Sequence, residues 1–227
     1  MKRTTNVLDL DNLPLLIHQA ALNPYQNLDE FNKSCDQAKY FSLGGFCSDL
    51  SMISLARERL GKKSNTKLIA TIAFPFGSLP SNLKKSQAEW AISEGAEELE
   101  VVPNFFTLSQ SKTDLFAEEL ASICEIGLPV RVIINASNLS SKTLEMAIEA
   151  SIEAGAISIQ SGNGFGRAVT IDDIRQIKDL TKGRCSIKAV GSIKTLKSTI
   201  DLIEAGADMI GTTVGSSLIE ELREQKK

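Results

Sequence analysis

Hydrophobic and polar positions along this chain change period again and again. Short apolar runs at residues 15–20, 43–47, 67–73, 99–102, 130–134, 158–160, 186–189 and 209–211 predict strands. Between them the apolar residues fall at helical spacing, as in SMISLARERLG and KTLEMAIEASIEAG. One joint recurs three times: EGAEELEVV from Glu94, EAGAISIQ from Glu153 and EAGADMIGTT from Glu204. In each, a glycine stands where a helix ends and is free to adopt the left-handed conformation that stops it, and a β-rich run follows. Joints of this kind predict a βαβ repeat and hence a parallel sheet. Capping-box spacing at Ser111/Asp114, Thr170/Asp173 and Ser217/Glu220 predicts three helix starts.

The predicted strands recur about every 25–30 residues, the size of one βα unit. Eight such units close into a (β/α)8 TIM barrel, and 227 residues fit one domain of that kind, spanning positions 1–227. An open doubly wound α/β sheet is the competing fold. It usually shows G-x-G-x-x-G after its first strand, and that motif is missing here.

Composition narrows the function classes. With 42% hydrophobic and 23% charged residues and a net charge of −3, the chain has the balance of one globular domain and no nucleic-acid footprint. The pairs Lys62-Lys63 and Lys84-Lys85 read as solvated faces. No apolar run reaches the ~20 residues of a membrane span, and MKRTTNVLDLDN lacks an apolar segment behind its basic residues, so a cytoplasmic protein with no membrane partner is expected. Cys35, Cys47, Cys124 and Cys185 are too widely spaced for a zinc site and read as reduced, mostly buried thiols. His18 is the only histidine, so no metal site is expected, and no cofactor.

In such a barrel, function gathers where strands end. That rule selects His18, Gln19, Cys47, Ser48, Phe74-Pro75, Glu100, Asn135, Gln160, Lys188 and the glycines after strands six to eight. Glu100 and Lys188 stand out because each interrupts an apolar strand, where a charge must be paired or pKa-shifted. A buried Glu100–Lys188 ion pair without a chemical role and a catalytic pair are both open at this point.

Short collinear segments over nearly the whole chain resemble the deoxyribose-phosphate aldolase family. IHQAALNP is similar to I-D-H-T-L-L-K-P, TIAFPFG to V-I-G-F-P-L-G, and GAEELEVVPN to G-A-D-E-I-D-M-V-I-N. VRVIINASNL, IKAVGSIKT and GADMIGTTVG match its fifth, seventh and eighth strands, and GFCSDLSMISLARERLG its second strand and following helix. The resemblance implies a strand-six lysine that forms a Schiff base, a strand-seven lysine that lowers the first one's pKa, and a strand-four aspartate for proton transfer. Those positions hold Gln160, Lys188 and Glu100. The family's strand-one aspartate and threonine align with His18 and Ala20, its strand-five glutamate with Asn135, and its T-S-T turn with Ser161–Asn163. The phosphate-binding turns are better kept: Gly164, Gly166, Gly191, Gly211, Thr212, Thr213 and Gly215 remain, while Ser192, Lys194 and Val214 stand where the family has a glycine, an arginine and a serine.

The expectation is therefore a homologue that binds a phosphorylated sugar or related anion without Schiff-base cleavage. The alternative is a working lyase with Lys188 as nucleophile beside Glu100. Another phosphosugar reaction on Glu100 or His18, or a structural partner role, completes the set. The resemblance also allows a homo-oligomer.

Overall fold

The computed structural model describes residues 10–110 and 112–225. Eight parallel strands close into a barrel in sequence order: β1 (Ile17–Ala21), β2 (Gly45–Ser48), β3 (Lys67–Ile72), β4 (Glu98–Val101), β5 (Val130–Ile133), β6 (Ser158–Gln160), β7 (Ser186–Val190) and β8 (Met209–Thr212). β8 pairs with β1, so no edge is left open. The outer helices are α1 (Leu28–Tyr40), α2 (Ile53–Leu60), α3 (Ser81–Ser93), α4 (Thr113–Cys124), α5 (Ser141–Glu153), α6 (Ile171–Thr181), α7 (Leu196–Ala205) and α8 (Gly215–Gln225).

The three repeated joints behave as the pattern requires. Gly95, Gly155 and Gly206 all have positive φ, and each is followed within a few residues by a strand. The main apolar core lies between the outer strand faces and the helices. Leu13, Ile17, Phe31, Leu43, Phe46 and Ile53 are all fully buried there, and Phe31 of α1 meets Phe46 of β2 edge to face at 5.6 Å.

Several local expectations are corrected. Residues 15–16 belong to a helical turn (Leu13–Leu16), with Leu15 exposed, so β1 starts at Ile17. Ala73 has φ 54° and lies past the end of β3. The capping box at Thr170/Asp173 is present, whereas Ser217 falls inside α8, which begins at Gly215. Ser111 lies outside the described residues. A further capping box, Asn27 with Glu30, opens α1.

Lys84 is not on a solvated face. It is fully buried, and its Nζ donates to Glu119 Oε1 at 2.7 Å and to the Val102 carbonyl at 3.1 Å. Burial pulls its pKa down, against the pull of Glu119. The same carboxylate accepts from Asn104 N and Ser81 Oγ, so this pair ties α3 and α4 to the loop after β4. All four cysteines are free, with Cys35 and Cys47 buried and Cys124 and Cys185 half-buried. Among the described residues no helix is long and apolar enough to cross a membrane.

Candidate active site

(β/α)8 interiors are ordinarily filled by Val, Ile and Leu. This one carries charge. Cys47 on β2, Glu100 on β4 and Lys188 on β7 come from strands that are not neighbours, so their contacts cross the barrel lumen. Lys188 Nζ donates to Glu100 Oε1 and reaches Cys47 Sγ at 3.4 Å. Arg131 on β5 donates to Glu100 at 3.2 Å and to Glu98 at 3.0 Å. Two acids and two bases thus form one chain of ion pairs.

The pairing decides the protonation states. Burial works to raise the Glu100 pKa, but Lys188 and Arg131 outweigh it and hold the carboxyl below its ordinary value. Burial, helped by the Glu100 charge, pushes the Cys47 thiol up to about 12, so it is not a thiolate nucleophile. Burial and then the charges of Lys188 and Arg131 drive His18 well below 6.5, so its ring is neutral.

Gln160 is β6's last residue and pairs in register with Lys188. Its Nε2 donates to the Gly162 carbonyl at 2.8 Å. A carbonyl only accepts, so the amide orientation is set, and Oε1 is left buried without a partner. The Nδ1 of His18 is a second buried atom without one.

Above this floor opens a cavity of about 590 Å3. Gln160, Lys188, Glu100, Gly164, Gly191, Ser192, Gly211, Thr212 and Thr213 all line it, so the structure brings every one of these sequence candidates to one place. A Cβ on Gly211 would stand 2.6 Å from Val190 Cγ2 and 2.7 Å from Lys188 Cε, so a side chain there would have to displace them. Gly191 has φ 143°, and a Cβ on it would come within 2.9 Å of Val169 N. Ser192 follows with φ 53°, which folds the β7 loop into a tight turn. The backbone N–H groups of Ser192, Ile193 and Lys194 have no acceptor among the described residues, and all three residues face the cavity.

The β8 turn is less open. The Gln19 amide donates to Thr213 O at 2.8 Å and accepts from Gly215 N at 2.9 Å. Thr212 Oγ1 donates to Ile193 O and accepts from Val214 N. Gly215 and Gly166 do not line the cavity.

Asn135 has a structural task. Its Oδ1 accepts from Asn163 N at 2.8 Å, while Asn163 Nδ2 donates to Pro75 O at 2.9 Å. Together they lash the loop after β6 to β5 and β3. Ser48 turns instead to the Asp49 carbonyl.

His18, Cys47 and Glu100 offer donor atoms within 4.8 Å of one another, the spacing of a metal site. Lys188 already occupies that position, bonded to both Cys47 and Glu100, so the cluster carries its own cation.

Arg131 escaped the sequence reading although it too is a charge in an apolar run, VRVII. Tyr25 and Phe165 of the cavity wall carry no periodic or charge signal, and only the closed barrel reveals them.

No family model matches the chain. Curated relatives do. It is 34% identical over 215 residues to the deoxyribose-phosphate aldolase of Trichormus variabilis, covering 94% of each chain. It is 35% identical over 208 residues to that of Aquifex aeolicus, covering 90% of this chain and 94% of the relative. Among solved structures, the aldolase QR15 superposes with a TM-score of 0.90 at 31% identity, over 97% of this chain and 98% of that one. The tetrameric deoxyribose phosphate aldolase from Aeropyrum pernix shares the fold, with a TM-score of 0.84 at 23% identity over 95% and 92% of the two chains. With this barrel, this cavity at its strand ends and relatives above 30% identity along almost its full length, the chain belongs to the deoxyribose-phosphate aldolase family.

Proposed function

We propose that this family member binds a phosphorylated small molecule and has given up Schiff-base aldol cleavage. The observation that carries the reading is Gln160. By its resemblance to the family strand it holds the position of the Schiff-base lysine. An amide nitrogen shares its lone pair with the carbonyl and does not condense with an aldehyde. Here that nitrogen is further committed to the Gly162 carbonyl.

The remaining amine does not take over readily. Lys188 faces the cavity, which favours the second reading, a lyase with Lys188 as nucleophile. Against it, Lys188 is tied into an ion pair with Glu100 and a contact with Cys47, which an attack on a carbonyl would have to break. An attack from β7 also starts one strand away from β6, and misplacement by ~1 Å costs ~10²-fold.

Anion binding is assigned to the turn after β7. Three unpartnered N–H groups beside the Lys194 side chain suit a phosphate, and barrels of this kind often bind phosphate in that region. A homo-oligomer is proposed by analogy with the tetrameric Aeropyrum pernix relative.

Borohydride trapping with deoxyribose 5-phosphate, followed by peptide mass spectrometry, tests the reading. We expect no reduced adduct, together with thermal stabilisation of the protein by the sugar phosphate. An adduct on Lys188 sinks the proposal in favour of the lyase.

A further inference from the structure

We infer that the ligand of this site is a phosphomonoester carrying a planar aromatic group, its phosphate at the 192–194 turn and its ring against Phe165 and Phe74. The inference rests on the anion-binding reading above and adds the class of molecule.

The cavity is large and its wall is mainly apolar. About 590 Å3 falls within the roughly 300–1,000 Å3 that encloses a drug-sized ligand, and a pentose phosphate alone leaves much of it to water. Leu22, Pro24, Tyr25, Phe74, Phe165 and Ile193 supply the wall. Of the charged lining groups, Glu100 and Lys188 are bonded to each other, which leaves Lys194 for the anion.

The aromatic side is exposed and held in place. Phe165 is 60% exposed and Tyr25 is 92% exposed, although both line the cavity. Exposed rings at a cavity mouth mark a place where apolar ligand surface is covered. Phe165 leans on Phe74, with centroids 5.7 Å apart. Its backbone N–H donates to Asn163 Oδ1, and Asn163 is tied to Asn135 and Pro75. A loop fixed in advance loses little freedom on binding. Aromatic walls favour aromatic ligands, because offset or edge-on ring contacts add to simple burial.

Titration calorimetry with inorganic phosphate, deoxyribose 5-phosphate, phenyl phosphate and thymidine 5′-monophosphate tests the inference. At least one aromatic ester is expected to bind about tenfold or more tightly than deoxyribose 5-phosphate. Gain with phenyl phosphate identifies the ring alone as the recognised feature, and gain confined to the nucleotide identifies a nucleoside monophosphate. Phe165→Ala should remove that gain while leaving the Kd for inorganic phosphate unchanged. Phe165→Leu keeps apolar bulk without an aromatic face and should remove most of it. Deoxyribose 5-phosphate binding as tightly as both aromatic esters overturns this inference and leaves the anion site standing. Absence of binding by all four compounds overturns both.

Discussion

The floor of the cavity and the turn after β7 treat their polar groups in opposite ways. On the floor, Glu100, Lys188, Arg131 and Cys47 bond to one another, and the Gln160 amide nitrogen bonds to backbone. At the turn, the N–H groups of Ser192, Ile193 and Lys194 have no acceptor among the described residues, and Phe165 and Tyr25 of the cavity wall stand exposed. Groups that satisfy each other inside a low-dielectric barrel are costly to separate, because either one left alone is an uncompensated buried charge, and reacting with a substrate means breaking them apart first. The contrast is between a floor whose polar groups are bonded to one another and a rim whose N–H donors are left open, as the proposed anion site requires.

Restoring an amine to the floor gives the largest expected change. In Gln160→Lys the new lysine lies beside Lys188 in the sheet, and the like charge lowers its pKa toward a free amine. Retro-aldol turnover of deoxyribose 5-phosphate, measured as aldehyde release, should rise about 10³-fold or more above the parent protein. A folded variant that stays silent shows that His18, Ala20 and Asn135 also block the reaction.

Breaking the ion-pair chain comes next. Glu100→Ala strands Lys188 in the barrel, and urea unfolding should report a loss of about 3–5 kcal/mol. The double variant Glu100→Gln with Lys188→Met removes both charges and should recover most of that loss. If it is as unstable as the single variant, the floor is held by something other than charge pairing.

At the rim, Lys194→Ala should weaken inorganic phosphate about tenfold, the cost of one charge-assisted contact, with thermal stability unchanged. An unaltered Kd moves the anion elsewhere in the cavity.

The last effect is a pH dependence and belongs to His18. Its folded pKa is lowered by burial, Lys188 and Arg131, so the unfolded chain takes up its proton first as pH falls. The contribution is intact above about pH 6.5 and is lost below it, by at most about 1.4 kcal/mol per pH unit. Chemical denaturation between pH 7.5 and 5 should show this slope, and His18→Gln should flatten it.

Much of this molecule could be read from its residues in order. The glycine joints at 95, 155 and 206 announce the βα repeat because helix termination is a local backbone event. Glu100 and Lys188 were visible as charges in apolar strands, and nine residues picked out by their place at strand ends or by the family resemblance line one cavity. Local rules failed where burial overrides them: Lys84 looks like a surface lysine until Glu119, 35 positions away, is folded against it.

Sequence by itself determined the barrel, the strand ends and the identity of the groups placed there, since periodicity and turn chemistry act over neighbouring residues. Tertiary structure alone decided which groups touch. Cys47, Glu100 and Lys188 are brought together only when β2, β4 and β7 face each other across a closed lumen. The Asn135–Asn163–Pro75 lashing and the aromatic wall likewise join three separate loops, because contact across the barrel depends on closure and leaves no trace in local pattern.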